Sequence, residues 1–413
     1  MSDENLPDFA KFQIQEVYKT NKKKMYDFNK IIDRSGSGDL KHEVLKERYG
    51  RADLLPLWVA DMDFETPDFI TNALKKRLEH SLFGYTVEPD ELWPTVQKWI
   101  KDHHQWDVKR EWLSYIPGIV KGIGMVVNVF TKPDEKVIIQ PPVYHPFRLT
   151  PEGNGREVVY NPLKENADGT YSMDFDNLEQ VADEKCKVLV LSNPHNPAGI
   201  TWSKETLARL ADFCYDRRIL VVSDEIHCDM ALWGNKHVPF ATASEKAAQC
   251  SITFGAPSKT FNIAGIVSSY SIIPNDEIRN KFYTWLAANE LNEAPLFSPI
   301  ATVAAFKNGE AWRKDMLHYI EENIVFVEEY CREHLPTIKP LRPQASFLVW
   351  LDCRAMKLNH AQLIDLFVNK AHLALNDGEM FGKGGEGFMR MNVGTPRAIL
   401  KKALDQLKEA VGK

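Results

Sequence analysis

A chain of 413 residues is long enough for two or three domains of ordinary size, or for one large domain with a smaller companion. Its 51 Lys and Arg against 57 Asp and Glu give a net charge of −6 with both signs dispersed, which excludes the clustered basic surface of a nucleic-acid-binding protein. No apolar run reaches the ~18 residues of a membrane span, and no signal peptide is visible, so we expect a cytoplasmic protein without membrane contact.

The first 60 residues are predicted to form an arm. Residues 1–50 are charged and weakly patterned, which is typical of a segment that packs on the rest of the protein. The next stretch, L-P-L-W-V-A-D-M-D-F at 55–64, is an apolar strand-like run that ends in two carboxylates, Asp61 and Asp63. Two carboxylates alone lack the ligand count of a cation site, so we interpret them as loop or capping residues.

A turn and a helix follow the arm. F-G-Y-T-V-E-P at 83–89 predicts a glycine-hinged turn that exposes Tyr85. The next residues place Leu92, Val96 and Trp99 or Ile100 on one face of a helix.

From about residue 113 to 273, short β-rich runs alternate with helical segments. The runs lie at Val137–Gln140, Glu157–Tyr160, Val188–Leu191, Ile219–Ser223, Ser251–Phe254 and Val267–Ile273. Strands rich in Val, Ile and Leu without alternation are buried on both faces, which implies a mainly parallel sheet covered by helices. The clearest helix runs from Ser203, a predicted N-cap, to Arg217. This part of the chain is predicted to be an α/β domain.

The last hundred residues change character. A long helical stretch runs from about Ala311 to His334, and extended runs follow at Ala345–Leu351 and Phe388–Asn392. A final helix is predicted with Thr395 as its N-cap and Pro396 at its first position. These elements predict a smaller α+β unit against which the N-terminal arm packs.

The six cysteines stand singly, with no C-x-x-C pair, at Cys186, Cys214, Cys228, Cys250, Cys331 and Cys353. In a chain of this size they are interpreted as reduced cytosolic thiols rather than as a disulfide framework or a zinc site. We therefore expect no metal.

Chemically active side chains follow four of the predicted strands. In open parallel sheets, ligands bind beyond the carboxyl ends of the strands. The four segments there are Q-P-P-V-Y-H-P (140–146), S-N-P-H-N-P-A-G (192–199), S-D-E-I-H-C-D (223–229) and G-A-P-S-K-T (255–260). They bring an aromatic ring, an amide, a carboxylate and a lysine to one edge. A lysine among small and apolar neighbours loses hydration and favours the free amine, which suits covalent chemistry with an aldehyde cofactor.

At these residues the chain resembles a known superfamily. Asn196-Pro197-x-Gly199, Asp224-Glu225 and Ser258-Lys259 follow the order and spacing of pyridoxal-phosphate enzymes of fold type I, the aspartate-aminotransferase superfamily. Further motifs are similar to the cystathionine β-lyase and cysteine-S-conjugate β-lyase branch: W-V-A-D-M-D-F (58–64), F-G-Y (83–85), S-D-E-I-H-C-D-M (223–230), S-K-T-F-N-I-A-G (258–265) and R-M-N-V-G-T-P-R (390–397). The resemblance extends from about Asp27 to the C-terminus.

The resemblance implies a fold and an assembly. It implies a large domain with a mainly parallel seven-stranded sheet covered by helices, followed by a smaller α+β C-terminal domain. We place the arm at 1–60, the large cofactor-binding domain at 61–300 and the small domain at 301–413. It also implies a homodimer in which Tyr85 reaches the phosphate of the cofactor in the neighbouring subunit.

The resemblance also assigns roles around the cofactor ring. Lys259 is expected to bind the aldehyde carbon of pyridoxal 5'-phosphate and, once displaced by substrate, to take the Cα proton. Asp224 is expected to pair with the pyridine nitrogen and keep it protonated. Asn196 and His227 fall where the family contacts the phenolic oxygen, and Tyr144 fits the aromatic that stacks on the ring.

The phosphate site departs from the usual family pattern. Backbone amides of Ile119 and Val120 are expected to meet the phosphate at a helix N-terminus, and Ser258 adds a hydroxyl. Many relatives carry a serine three residues before the lysine and a basic residue about eight after it, where this chain has Ala256 and Val267. The phosphate is therefore expected to be held by amides, hydroxyls and the neighbour's tyrosine.

For the substrate, the resemblance implies that Arg390 grips the α-carboxylate with its planar fork and that the backbone of Ala60 closes the other side. We predict a carbon–sulfur β-lyase that acts on cystathionine, cysteine or S-substituted cysteines and releases a thiol, pyruvate and ammonia. An aminotransferase is the alternative, because it shares the early steps; His227, where aminotransferases commonly have tyrosine, favours the lyase. A regulatory module on a cofactor-binding fold is a third possibility, against which the intact set of site residues argues.

Overall fold

The computed structural model describes residues 26–412, so the first 25 residues of the predicted arm lie outside it. The strands are β1 (Leu55–Pro56), β2 (Leu113–Ile116), β3 (Lys136–Ile139), β4 (Glu157–Tyr160), β5 (Lys164–Glu165), β6 (Tyr171–Ser172), β7 (Cys186–Ser192), β8 (Leu220–Asp224), β9 (Ser251–Gly255), β10 (Ser269–Ile272), β11 (Lys339–Leu341), β12 (Leu348–Asp352), β13 (Leu373–Ala374), β14 (Asn376–Asp377) and β15 (Phe388–Asn392).

Helices separate most of these strands. They are α1 (Leu40–Glu43), α2 (Leu45–Tyr49), α3 (Asp68–Leu78), α4 (Leu92–His104), α5 (Ile119–Phe130), α6 (Pro146–Gly153), α7 (Phe175–Val181), α8 (Lys204–Asp216), α9 (Glu245–Gln249), α10 (Asp276–Ala288), α11 (Phe297–Asn308), α12 (Glu310–His334), α13 (His360–Ile364) and α14 (Arg397–Val411). Among residues 26–412, none of the helices combines the length and the apolar character needed to cross a membrane.

A seven-stranded sheet forms the larger layer, in the order β2-β10-β9-β8-β7-β3-β4. Only β10 runs antiparallel to its neighbours, so the predicted mainly parallel sheet and α/β fold class are confirmed. Strands β8 and β9 at its centre are buried along their whole length, and β7 is buried except at Lys187, as expected for a sheet with both faces covered. The register places Ser192, Asp224 and Phe254 side by side, so the polar segments that follow β7, β8 and β9 leave the sheet at one edge.

A four-stranded antiparallel sheet, β11-β12-β15-β14, forms the second layer with α12 and α14. Its register aligns Trp350, Arg390 and Asn376 across three strands. Strand β1 of the N-terminal segment pairs with β13 rather than with the larger sheet, so Leu55 lies opposite Leu373.

The predicted β runs of the larger sheet agree with the observed strands to within two residues, and Ser203 is the N-cap of α8, accepting a hydrogen bond from the Thr206 amide. Strand β2 was not predicted, because L-S-Y-I is short and mixed in polarity. In the smaller sheet, the predicted run Ala345–Leu351 is wrong at its start: Ser346 has φ +79°, which an extended strand does not allow.

Two further predictions about element ends are wrong. Thr395 is not the N-cap of the last helix; α14 begins at Arg397 after Pro396, because proline's fixed φ suits the position before the first turn. The run at 55–64 is a strand only at Leu55–Pro56, since its remaining backbone is bound by side chains of other segments. Residues 40–49, read as weakly patterned, form α1 and α2.

The two carboxylates of the 55–64 stretch hold the N-terminal segment in place. Arg34 Nη1 lies 2.8 Å from Asp63 Oδ1, and its Nη2 lies 3.1 Å from Asp61 Oδ2. Lys41, which is fully buried, contacts Asp63 at 2.8 Å. The interpretation of these residues as caps is therefore wrong: they are in a loop, but they neutralise a buried lysine and an arginine, which buried cations require.

Candidate active site

A cavity of about 310 Å³ opens at the carboxyl ends of the parallel strands. Nine of the eleven predicted site residues line it: Ala60, Ile119, Val120, Tyr144, Asn196, Asp224, His227, Ser258 and Lys259. Arg390 does not line the cavity but donates a hydrogen bond to Asn196, which does. Tyr85 lies elsewhere on the surface. Strand-end placement thus brings together residues separated by up to 199 positions, such as Ala60 and Lys259.

Lys259 lies in the turn after β9, and its Nζ donates a hydrogen bond of 2.5 Å to the carbonyl of Ala60. Burial lowers its pKa to about 8, and the positive charge of Arg390 acts in the same direction, while Asp61 and Asp224 oppose both. No carboxylate among the described residues forms an ion pair with it. About a tenth of the amine is therefore uncharged at pH 7, far more than for an exposed lysine with a pKa of about 10.4.

Asp224 ends β8 and faces Lys259 across the cavity. Its Oδ1 accepts a hydrogen bond from the amide of Ile226 at 3.1 Å, and burial raises its pKa to about 7. A buried carboxylate in this state is stabilised by any cationic N–H that enters the cavity, because ion pairing favours the charged form.

Arg390 is a buried cation without a counter-ion. Its side chain is on β15, and its guanidinium donates to the Oδ1 of Asn196 at 2.9 Å, to the carbonyl of Trp58 at 3.0 Å and to the Oδ1 of Asn376 at 2.5 Å. Burial lowers its pKa to about 10, and within residues 26–412 no carboxylate contacts it and its Nε has no partner. An unpaired buried charge is costly, so this arrangement favours an incoming anion.

Asn196 is oriented by the same contact. Because Arg390 donates to its amide oxygen, the NH₂ group of Asn196 stays available on the cavity side as a donor. The backbone of Asn196 is held by Ser192 Oγ, at 3.0 Å from its amide, and by the amide of Tyr144, at 3.1 Å from its carbonyl. Gly199, three residues after Asn196, has φ +66°. A Cβ at this position would lie 2.4 Å from Pro343 Cβ, so only glycine fits.

The N-terminus of α5 forms one end of the cavity. Gly118 precedes it with φ +113°, a conformation that glycine adopts readily, and this turn leaves the amides of Ile119 and Val120 at the first turn of a 12-residue helix. Free amides and the helix dipole favour an anion at that end. Ser258 lines the same cavity.

Sequence reasoning missed the two asparagines that hold the W-V-A-D-M-D-F segment. Asn262, three residues after Lys259, donates from Nδ2 to the carbonyls of Met62 and Phe64 at 2.8 and 2.9 Å. Asn392, two residues after Arg390, donates to the carbonyls of Val59 and Asp61, each at 2.6 Å. Asparagines close in sequence to Lys259 and to Arg390 therefore hold the same backbone segment. The S-K-T-F-N and R-M-N motifs contained both asparagines, so their spacing was the available signal.

Among the other residues that line the cavity, Lys121 and Ser269 were not predicted, and Val267 was noted only as the position that lacks a basic side chain. Lys121, on the first turn of α5, is an exposed cation with no ion pair in the part of the chain that the structure describes. Val267 is in the left-handed region at φ +59°, and Ser269 begins β10. The cavity therefore has a basic side chain at Lys121, near the N-terminus of α5, and none at position 267.

Tyr85 is fully exposed, in a loop that also exposes Leu82, Phe83 and Val87. A separate cavity of about 800 Å³ lies beside this loop, lined in part by Tyr115, Tyr283 and Pro295. A single chain leaves this apolar surface uncovered, and monomeric proteins rarely expose such a cluster.

Comparison with known proteins agrees with this geometry. A family model described as "Aminotransferase class I and II" matches residues 52–407. Cystathionine beta-lyase PatB of Bacillus subtilis (strain 168) is 42% identical over 386 residues, which cover 93% of this chain and 100% of that protein.

Two solved structures show the same architecture. Cystalysin from Treponema denticola, which contains a pyridoxal 5'-phosphate cofactor, has a TM-score of 0.90 and 34% identity over 94% of this chain and 99% of its own. The PLP-bound C-S lyase from Staphylococcus hominis has a TM-score of 0.85 and 34% identity over 94% of this chain and 98% of its own.

Proposed function

Because the chain belongs to the class I and II aminotransferase family, we propose that it is a pyridoxal-phosphate-dependent carbon–sulfur β-lyase. Its substrates are cystathionine and other S-substituted cysteines, which it converts to a thiol, pyruvate and ammonia. The observation that carries this proposal is a weakly basic lysine in a cavity whose wall contacts a buried arginine without a counter-ion. The lysine amine can react with an aldehyde, and the arginine can bind a carboxylate.

The cavity residues fit each functional group of the cofactor. Lys259 offers an amine to the aldehyde carbon, and Asp224 offers a buried carboxylate to the protonated ring nitrogen. Asn196 and His227 supply hydrogen-bond donors for the phenolic oxygen, and Tyr144 an aromatic face for the ring. The glycine-initiated turn before α5, with the hydroxyl of Ser258, supplies donors for the phosphate.

In the reaction, the bound cofactor withdraws electrons from the substrate Cα, which makes its proton acidic. Arg390 would bind the substrate carboxylate, and the carbonyl of Ala60 accepts a hydrogen bond from Lys259. With its Nζ uncharged, Lys259 would take the Cα proton. The C–S bond then breaks, and the thiolate leaves from Cβ with the bonding electrons. Water hydrolyses the remaining three-carbon fragment to pyruvate and ammonia.

The proposal is tested by incubating the holoenzyme with cystathionine and no α-keto acid while pyruvate and thiol are measured. We expect sustained release of both in equal amounts. An aminotransferase, the alternative, would require an α-keto acid for continued turnover, and a purely regulatory protein would release neither. His227 in place of tyrosine supports the lyase over the aminotransferase.

The lowered pKa of Lys259 makes a prediction for cofactor capture. When cofactor-free protein is mixed with pyridoxal 5'-phosphate, the rate of covalent bond formation should rise about tenfold per pH unit below pH ~8 and level off above it, because only the uncharged amine attacks. Stopped-flow absorbance measures this rate. A rate that keeps rising beyond pH ~10, as for an exposed lysine, would contradict the structure.

We also propose a cytoplasmic homodimer in which Tyr85 completes the neighbour's phosphate site, supported by its full exposure within an apolar loop. The division into an arm at 1–60, a large domain at 61–300 and a small domain at 301–413 is part of the same proposal. The two sheets support it, as does the pairing of Leu55–Pro56 with Leu373–Ala374.

Mixed dimers test the role of Tyr85. Lys259→Ala and Tyr85→Ala are each expected to be impaired, but their hybrid contains one intact site, so random mixing should restore about a quarter of the wild-type activity. Lys259→Ala mixed with Asp224→Asn is the matched control. Those two residues lie in one cavity of one chain, so this mixture should restore nothing. Equal recovery in both mixtures, or in neither, would contradict the assignment.

A further inference from the structure

The ring of His227 joins the cavity to a serine of the smaller sheet layer. The imidazole is 5% exposed and lines the cavity, and its Nδ1 lies 3.1 Å from the hydroxyl of Ser346, which is 3% exposed. The described residues offer Nε2 no partner, so Nε2 is the polar atom that the ring presents to the cavity.

Ser346 is held rigidly at this position. Its amide donates to the carbonyl of Met230 at 2.9 Å, and the amide of Met230 donates to the carbonyl of His227 at 3.0 Å. On the other side, the amides of Gln344 and Ala345 donate to the carbonyl of Gly199, at 2.8 and 3.0 Å. The segment 344–346 thus bridges the two strand-end motifs that contain Asn196 and His227.

The backbone of Ser346 is strained. Its φ of +79° lies in the region that glycine adopts freely and other residues rarely adopt. Such strained residues are concentrated at functional sites, where the surrounding contacts hold them. At this position serine supplies a hydroxyl that glycine lacks, and that hydroxyl contacts His227 Nδ1.

The available donors and acceptors determine whether Ser346 or His227 donates the hydrogen bond between them. Burial, together with the charges of Lys259 and Arg390, lowers the pKa of His227 to about 3, so the ring is neutral and carries one proton. Within residues 26–412, Nδ1 is the one acceptor within reach of the Ser346 hydroxyl hydrogen. A buried hydroxyl that donated to nothing would be left unsatisfied, so the hydroxyl donates and Nδ1 accepts.

We propose that Ser346 is a positioning residue that fixes His227 in the tautomer with its proton on Nε2, so that the ring presents a hydrogen-bond donor to the cavity. The identity of the acceptor, the cofactor's phenolic oxygen, rests on the proposed function; the tautomer does not. The same smaller layer supplies Arg390, which orients Asn196, so one layer directs both donors at this side of the cavity.

The tautomer is measured in cofactor-free protein carrying ¹⁵N-labelled histidine, with the His227 signals assigned by their loss in His227→Gln. Two-bond ¹⁵N–¹H correlation distinguishes a proton on Nε2 from one on Nδ1. We expect Nε2–H in the wild type and an Nδ1 signal shifted by hydrogen bonding. In Ser346→Gly, which keeps the allowed φ and removes the hydroxyl, that Nδ1 shift should disappear. A wild-type proton on Nδ1, or an Nδ1 signal unchanged in Ser346→Gly, would overturn the proposal.

The holoenzyme gives a second readout. A donor to the phenolic oxygen stabilises its deprotonated form, so its weakening in Ser346→Gly should raise the pH midpoint of the cofactor's absorption band by up to about one unit. Lys357→Gly is the matched control, because Lys357 also has positive φ (56°) but is exposed and does not line the cavity. It should shift neither readout. If the protein fails to bind pyridoxal 5'-phosphate while the tautomer is Nε2–H, the proposed function fails and the role of Ser346 stands. An unmoved midpoint in Ser346→Gly counts against that role.

Discussion

Replacing Lys259 with alanine should lower kcat/KM for cystathionine by about 10⁴-fold or more, because the variant loses both the covalent link to the cofactor and the base at Cα. The other cavity contacts remain in this variant, so we expect the cofactor to stay bound without a covalent bond. Its absorption band should shift accordingly. Pyruvate release and the visible spectrum measure the two effects.

Two controls separate the roles of Lys259. Lys246→Ala removes a surface lysine that pairs with Asp212 and Asp216, and it should retain wild-type activity. A small primary amine added to Lys259→Ala should recover part of the rate, because it supplies a diffusible base. Full activity in Lys259→Ala would show that another group takes the Cα proton, whereas lost activity without any spectral change would remove the covalent role.

Replacing Arg390 with lysine should lower kcat/KM for cystathionine by about 10²- to 10³-fold, mainly through KM. Hydrogen bonds to charged groups contribute about 1.5–3 kcal/mol each, and lysine keeps the charge but loses the planar fork. The effect should be large because Arg390 is 3% exposed and no carboxylate of the described chain shares its charge.

Substrate analogues and a matched variant give the control for Arg390. An S-substituted cysteamine lacks the α-carboxylate, so its slow turnover should be nearly the same in the wild type and in Arg390→Lys. Arg354→Lys alters an arginine that pairs with Glu165 and Asp352 and does not line the cavity, so it should leave the turnover of both substrates unchanged. An equal loss for the carboxylated and decarboxylated substrates would indicate a folding defect and contradict the carboxylate role.

The larger sheet and its cavity were predictable because strand ends are local features. The strands at the sheet's centre are mostly apolar, and each is followed by its polar motif, so the sequence could assign Asn196, Asp224 and Lys259 to one edge. Parallel strands in register then bring these motifs together without further information.

Long-range side-chain contacts were not predictable from those patterns. The contacts of Asn262 and Asn392 with the 58–64 segment join positions about 200 and 330 apart, and nothing in the hydrophobic period encodes them. The same holds for Lys41, which lies in the weakly patterned N-terminal segment and is buried against Asp61 and Asp63. Ser346 was read as part of a strand, although its φ of +79° depends on contacts with Met230 and Gly199.

The most direct test of the central claim is the cofactor's spectrum after the holoenzyme has consumed all of the cystathionine added, at many molecules per active site. A β-lyase returns the cofactor to its aldehyde form in each cycle, so the original band should be present at the end, with many thiol molecules released per active site and no keto acid added. A band lost after about one equivalent of product, and restored only by an α-keto acid, would contradict the account and identify an aminotransferase.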